Sequence, residues 1–128
     1  MDLIGPTAAP YILISTGPHE VFTTKTVKKS KSPQWNEFFE LLVKKNLKKT
    51  MEVTVMARDI KNGRDDFIGM AQLHFENFGS EAKDVWVRVQ RTNKKRESVV
   101  TGEVHLQVRY VRPLATEQKT ETQLDNNP

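Results

Sequence analysis

Apolar and polar residues alternate along most of this chain instead of recurring every third or fourth position. A period of two is the mark of half-buried β-strands. Seven runs carry it: 11–15, 21–27, 38–43, 51–56, 69–75, 85–89 and 103–110. Within them Phe39, Leu41 and Val43 share a face, as do Met51, Val53 and Val55, then Ala71, Leu73 and Phe75, and finally Val104, Leu106, Val108 and Tyr110. Turn-forming clusters separate the runs at 16–18, 28–33, 44–49, 61–66, 77–80 and 91–102. Short strands divided by turns predict an all-β, antiparallel sandwich. Only 77–84 leaves room for a brief helical turn.

Length and composition narrow this further. A chain of 128 residues is expected to form one domain with an adequate core. The absence of cysteine excludes disulfides, thiolate catalysis and cysteine-ligated metals, and favours a reducing, cytoplasmic setting. No apolar run approaches the roughly 20 residues that cross a bilayer. Met1-Asp2-Leu3-Ile4-Gly5-Pro6 lacks the basic start and long apolar stretch of a signal peptide, so any membrane contact is expected to be peripheral. Residues 114–128 are polar, without aromatics or apolar period, and read as a disordered tail or linker after a body spanning 1–113.

Charge is uneven. The formal net charge is +4, but Lys25, Lys28, Lys29, Lys31, Lys44, Lys45, Lys48 and Lys49 face only Glu37 and Glu40 in the stretch 25–49, which alone carries +6. Such a field attracts phospholipid headgroups, nucleic acid or acidic protein faces, although a lysine-rich stretch is also an ordinary solvated surface. Nucleic acid is the weakest of these partners. Recognition of bases favours aromatics among the cations, and Phe22, Trp35 and Phe39 are better spent on a core; the cluster also lacks arginine for bidentate contacts.

Catalysis has little to work with. His19 falls in a turn, while His74 and His105 occupy outward positions of strands. No spacing suggests a metal site or a Ser-His-Asp arrangement, and no glycine-rich phosphate loop is present. Asp59, Asp65 and Asp66 crowd one loop around Asn62-Gly63. Crowded carboxylates can build a calcium site, but Asp and Asn are also routine turn formers.

The most specific local pattern is Ser32-Pro33-Gln34-Trp35-Asn36-Glu37-Phe38-Phe39, followed by Met51-x-Val53-x-Val55 and then Asp65-Asp66-Phe67-Ile68-Gly69. This series resembles the C2 domain family. Pro10-Tyr11-Ile12-Leu13-Ile14 resembles the family's Asp-Pro-Tyr-Val-x-Val strand, and Thr24-Lys25-Thr26-Val27 the strand that follows it. Trp86 with Val87 and Val89 resembles a late strand, and 102–108 the closing one. The likeness covers about residues 3–111. It implies an antiparallel Greek-key β-sandwich with eight strands, whose loops at one end bind membranes, commonly through calcium, and whose lysine-rich strand face can bind phosphoinositides or proteins.

Two departures qualify what the resemblance implies. Calcium-binding members carry aspartates in the first loop and directly before Pro-Tyr, where this chain has 4–9 without a carboxylate and Ala9; Ala57 replaces a third. Asp59 and Asp66 remain, with Asp65 as an extra, too few for the six to eight oxygens that calcium takes. No calcium cofactor or other metal site is therefore expected. The second departure is the family's opening Leu-x-Val-x-Val strand, which would lie between 38–43 and 103–110 and has no counterpart here, leaving seven of the usual eight strands. Truncation or an alternative start, a strand donated by another chain, and a variant with direct pairing all account for this; the first is preferred because nothing in the sequence compensates for the open core.

The resulting expectation is a non-catalytic module that binds anionic phospholipid or phosphoinositide at membranes without calcium. Its lipid-binding candidates are Lys25, Lys28, Lys29, Lys31, Lys44 and Lys45, with Met56 and Ile60 as loop residues that insert into the bilayer. Phe67 and Ile68 are expected to turn toward the core, as are Trp35 and Trp86 at strand entries, and Gly69 to permit close strand approach. The alternative is a protein-interaction or scaffolding module that uses the same basic face or an open strand edge.

Overall fold

The computed structural model describes residues 8–30, 32–44 and 48–112; Lys31, Lys45 and the expected tail 114–128 lie outside them. Six strands are laddered: β1 (Ala8–Gly17), β2 (Glu20–Thr23), β3 (Thr50–Asp59), β4 (Asp65–His74), β5 (Lys83–Thr92) and β6 (Ser98–Val108). They form an antiparallel sheet in the order β2-β1-β3-β4-β5-β6. The described residues contain no helix, and the link from β4 to β5 is made of turns and bends.

The period of two places the core. Ile12 and Ile14 of β1, Met51, Val53, Val55 and Ala57 of β3, Ile68 of β4, Val87 and Val89 of β5 and Val104 of β6 join one buried cluster. This requires the sheet to fold over on itself, and it does so at the β4–β5 seam. There a single ladder pair, Met70 with Gln90, joins the strands, against eight pairs between β1 and β3.

A bulge helps to make the seam. The β3–β4 register passes from Val55 with Gly69 to Met56 with Phe67, leaving Ile68 as the extra residue. Such a residue loses its ladder partner. Its carbonyl accepts instead from Thr101 Oγ1 at 3.0 Å, and the same hydroxyl lies 3.3 Å from Val89 O. Gly69 allows the approach, because a Cβ there would collide with Thr101 Oγ1 and lie 3.2 Å from the Gln90 amide nitrogen. Ile68 faces the core as expected, whereas Phe67, paired with Met56 on the outer face, is 45% exposed.

The third expected strand is the main difference from the sequence reading. Over 33–43, half-buried Pro33, Trp35, Glu37, Phe39, Leu41 and Val43 alternate with exposed Gln34, Asn36, Phe38, Glu40 and Leu42, yet the segment has no ladder. Alternation reports which side meets a core; a ladder also needs a neighbouring backbone. Side chains hold the segment down. The Phe39 ring stacks on Phe22 with centroids 4.7 Å apart, Trp35 Nε1 donates to Pro10 O at 3.2 Å, and Thr16 Oγ1 donates to Leu42 O at 2.9 Å. Between this segment and β6 runs a groove of about 1240 Å³, floored by Ile12, Ile14 and Phe22 and walled by Trp35, Phe39, Val104 and Leu106.

Smaller corrections have local causes. The turn expected over 91–102 shrinks to 93–97, because Thr92 pairs with Ser98 and Asn93 Oδ1 accepts the amides of Lys95 and Glu97, each at 2.9 Å. β2 stops at Thr23, but the amides of Thr24 and Val27 donate to Ile12 O and Pro10 O and keep 24–27 along β1. Trp86 is not a packing residue. It lies on the outer face, 64% exposed, stacked on His105 at 4.7 Å, while His105 Nε2 lies 3.0 Å from Asp84 Oδ1.

Candidate functional site

The strands sort the lysines by position along the sandwich. β1 begins where β3 ends, Ala8 opposite Asp59. This end also carries the 60–64 turn and, since β5 runs antiparallel to β4, the 93–97 turn; Phe67 shares a cleft with Arg91, Thr92, Asn93 and Lys94. Val27 lies beside Pro10, so Lys28 and Lys29 approach the same end. Lys25 is exposed further along β2's continuation, its amide donating to Glu37 Oε2 at 2.8 Å. Lys44 follows Leu42, which is bonded to Thr16, and Lys49 precedes β3, its carbonyl accepting from Phe75. These mark the opposite end. The 25–49 lysines are therefore a compact cluster in sequence, but the described ones divide between two ends of the sandwich.

The two residues expected to insert into a bilayer also separate. Ile60 sits in the turn and is 74% exposed. Met56 lies inside β3, half-buried, flanked across the ladders by Tyr11 and Phe67. A strand position between two aromatic neighbours does not project into a loop.

Asp59 and Asp65 are occupied with local structure. Asp59 Oδ1 accepts the Lys61 amide at 2.9 Å, the Asx bond that shapes the turn. Asp65 Oδ1 accepts from Arg58 Nε at 3.0 Å, and this bond, with the nearby carboxylate charge, raises the Arg58 pKa above its ordinary value. The Arg58 guanidinium also lies 5.2 Å from the Tyr11 ring centroid. Asp65 and Asp66 are consecutive strand residues, so their side chains leave opposite faces of β4. Among the described residues no group of three or more His, Asp or Glu side chains comes together to hold a metal ion. The three carboxylates are engaged separately: one caps a turn, one is bonded to a cation, and the third leaves the other face of the strand.

Sequence reasoning missed the cations of the β5–β6 turn. Over 91–97, Arg91, Lys94, Lys95 and Arg96 face a single carboxylate, Glu97. The signal was present as Arg-Thr-Asn-Lys-Lys-Arg, but only the topology brings it to the end of the strands that also carries the 60–64 turn.

A sequence model of the C2 domain matches residues 1–89. The chain is 26% identical over 108 residues to Extended synaptotagmin-2-B of Xenopus laevis, covering 84% of this chain and 11% of that protein. It is 33% identical over 121 residues to Synaptotagmin-4 of Arabidopsis thaliana, covering 91% and 21%, and 27% identical over 119 residues to human Extended synaptotagmin-1, covering 92% and 10%. The chain thus spans between a tenth and about a fifth of the length of these relatives.

Proposed function

The chain belongs to the C2 domain family, and from that premise we propose that it is a non-catalytic module that binds anionic phospholipid membranes peripherally and without calcium. Lipid binding is the family-level expectation. The observation that carries its form here is the exposed row of Lys25, Lys28 and Lys29 on a segment fixed to β1 by the Thr24 and Val27 amides. Lys31, Lys44 and Lys45 are the further lysines of the same reading, and residues 1–113 its extent. Each lysine near an anionic surface contributes about 1 kcal/mol, so three account for about 3 kcal/mol, or about 150-fold in partitioning. Independence from calcium is supported by the Arg58–Asp65 pair and the Asp59 turn bond, which engage the carboxylates that a cation would need. No helix of the described residues is long and apolar enough to cross a membrane; peripheral attachment from the cytoplasm fits this reading.

Sedimentation with phosphatidylcholine vesicles carrying about a quarter phosphatidylserine tests it. Binding is expected to be equal in calcium and in chelator, to weaken with salt, and to be lost in the Lys25→Glu/Lys28→Glu/Lys29→Glu variant. Unchanged binding by that variant refutes the lysine assignment. A second reading rests on the groove beside β6, whose rim includes exposed Phe38. An extended protein segment laid there would add a strand to the free edge, and its binding would persist at salt concentrations that release vesicles.

A further inference from the structure

Resting on the lipid-binding reading, we propose that Ser32 is a phosphorylation site, and that a phosphate there releases the chain from anionic membranes. One oxygen ties the site together. Pro10 O accepts the Val27 amide at 3.1 Å and Trp35 Nε1 at 3.2 Å, so the chain leaves the sheet at Val27 and comes back to the same point at Trp35. Pro10 is itself fully buried, which fixes this neck. Beyond it stand Lys28, Lys29, Ser30 and Ser32, all exposed and outside any ladder.

Several hydroxyls elsewhere are engaged by the fold. Ser15 Oγ donates to Gly17 O at 2.7 Å, Thr16 Oγ1 to Leu42 O at 2.9 Å, Ser98 Oγ to Gln90 Oε1 at 2.6 Å and Thr101 Oγ1 to Ile68 O at 3.0 Å. Within the loop, Ser30 Oγ accepts the Ser32 amide at 3.2 Å. Ser32 is also the one serine or threonine of the sequence that precedes a proline. Proline at 33 disfavours the helical region at Ser32 and keeps the dipeptide extended or turned. An exposed acceptor hydroxyl followed by proline suits a proline-directed protein kinase with ATP as donor. Ser32 Oγ attacks the γ-phosphorus, the bond from that phosphorus to the β,γ-bridging oxygen breaks, the hydroxyl proton passes to the kinase's base, and ADP leaves.

The product carries about −1.5 to −2 charges at neutral pH beside the lysines that the lipid reading uses. Lys28 and Lys29 precede Ser32 by four and three residues, at most about 14 Å of extended chain, and the neck keeps this stretch from leaving the sheet. Lysine arms cover much of that distance, while charges act over about 8 Å at physiological salt. The phosphate oxygens accept from ammonium groups and repel lipid phosphates. The expected effect is that of withdrawing about two lysines from the row, or about 30-fold in partitioning.

The test has two readouts on the full chain. Treated with a purified proline-directed kinase and ATP, it is expected to gain one phosphate on Ser32 by mass spectrometry, absent in Ser32→Ala and much reduced in Pro33→Ala. No modification of the folded chain, or modification elsewhere alone, overturns the site. Chains phosphorylated at Ser32, or at exposed Ser80 in the β4–β5 link at the opposite end, are then sedimented with the same anionic vesicles in chelator. Phosphate at Ser32 is expected to weaken binding about 30-fold, while phosphate at Ser80 and Ser32→Ala leave it unchanged. Equal binding by the native and Ser32-phosphorylated chains overturns the switch and leaves the lipid reading standing. Equal losses from the two phosphates reveal a net-charge effect and remove the loop's role. A lowered thermal midpoint in the Ser32-phosphorylated chain traces the loss to unfolding and also overturns the switch. If the native chain ignores anionic vesicles, the lipid reading falls and the switch with it.

Discussion

Replacing Thr101 by valine probes the seam that folds the sheet over its core. The substitution keeps the shape, exchanging a hydroxyl for a methyl. Thr101 is 9% exposed, and its Oγ1 donates to the carbonyl of Ile68, the residue that the bulge leaves outside the β3–β4 register. Without the hydroxyl, that carbonyl is buried without its donor, at a cost of about 1–3 kcal/mol. The extra buried methyl returns at most about 0.8 kcal/mol. A net loss of about 1.5 kcal/mol is expected, which for a domain of this size lowers Tm by about 5–7 °C. Serine at the same position keeps the donor and gives up one methyl, so it is expected to cost less than valine, about 1 kcal/mol. Urea and thermal unfolding followed by circular dichroism would give the order threonine, serine, valine. A valine variant as stable as the native chain, or more stable than serine, would show that the hydroxyl does not hold the seam.

Gly63 has φ 70°, and a Cβ added there would meet no atom within 4 Å, so Gly63→Ala is expected to cost only backbone strain, about 1 kcal/mol, read from the urea midpoint. The two tryptophans are expected to differ in the same assay. Trp35→Phe gives up the bond to Pro10 O and costs about 1 kcal/mol, whereas exposed Trp86→Phe stays within about 0.5 kcal/mol. Asp65→Asn releases the Arg58 pair, both partners of which are substantially exposed; stability is expected to move by less than about 1 kcal/mol, with vesicle binding in chelator undiminished.

The strands were legible wherever alternation coincided with a partner. Met51, Val53 and Val55, and Val87 and Val89, face the core as their spacing indicates. Over 33–43 the alternation is equally clear, but pairing depends on which backbone lies alongside, and that is a property of the whole fold. Trp86 misled because a large aromatic suggests burial, although its position beside inward Val87 places it on the other face. The site was legible in kind and less so in place. Lysine density marked 25–49, but its described lysines divide between the two ends of β1, and the cations of the 93–97 turn lie far from them in sequence.

The segment 33–43 has a consequence for how the molecule opens. Its attachments among the described residues are ring stacking, side-chain hydrogen bonds and the packing of Trp35, Phe39, Leu41 and Val43 against the core, so it can lift from the sheet without breaking a ladder bond. Regions of this kind unfold locally at a fraction of the global free energy. Hydrogen exchange would then divide the chain into slow amides in β3 and at the β5–β6 pairing and fast amides in this strap, and a protease would cut the strap first. With β2 and β3 at its two ends, the strap is the part of the protein whose exchange rate would change most when something fills the groove beside it.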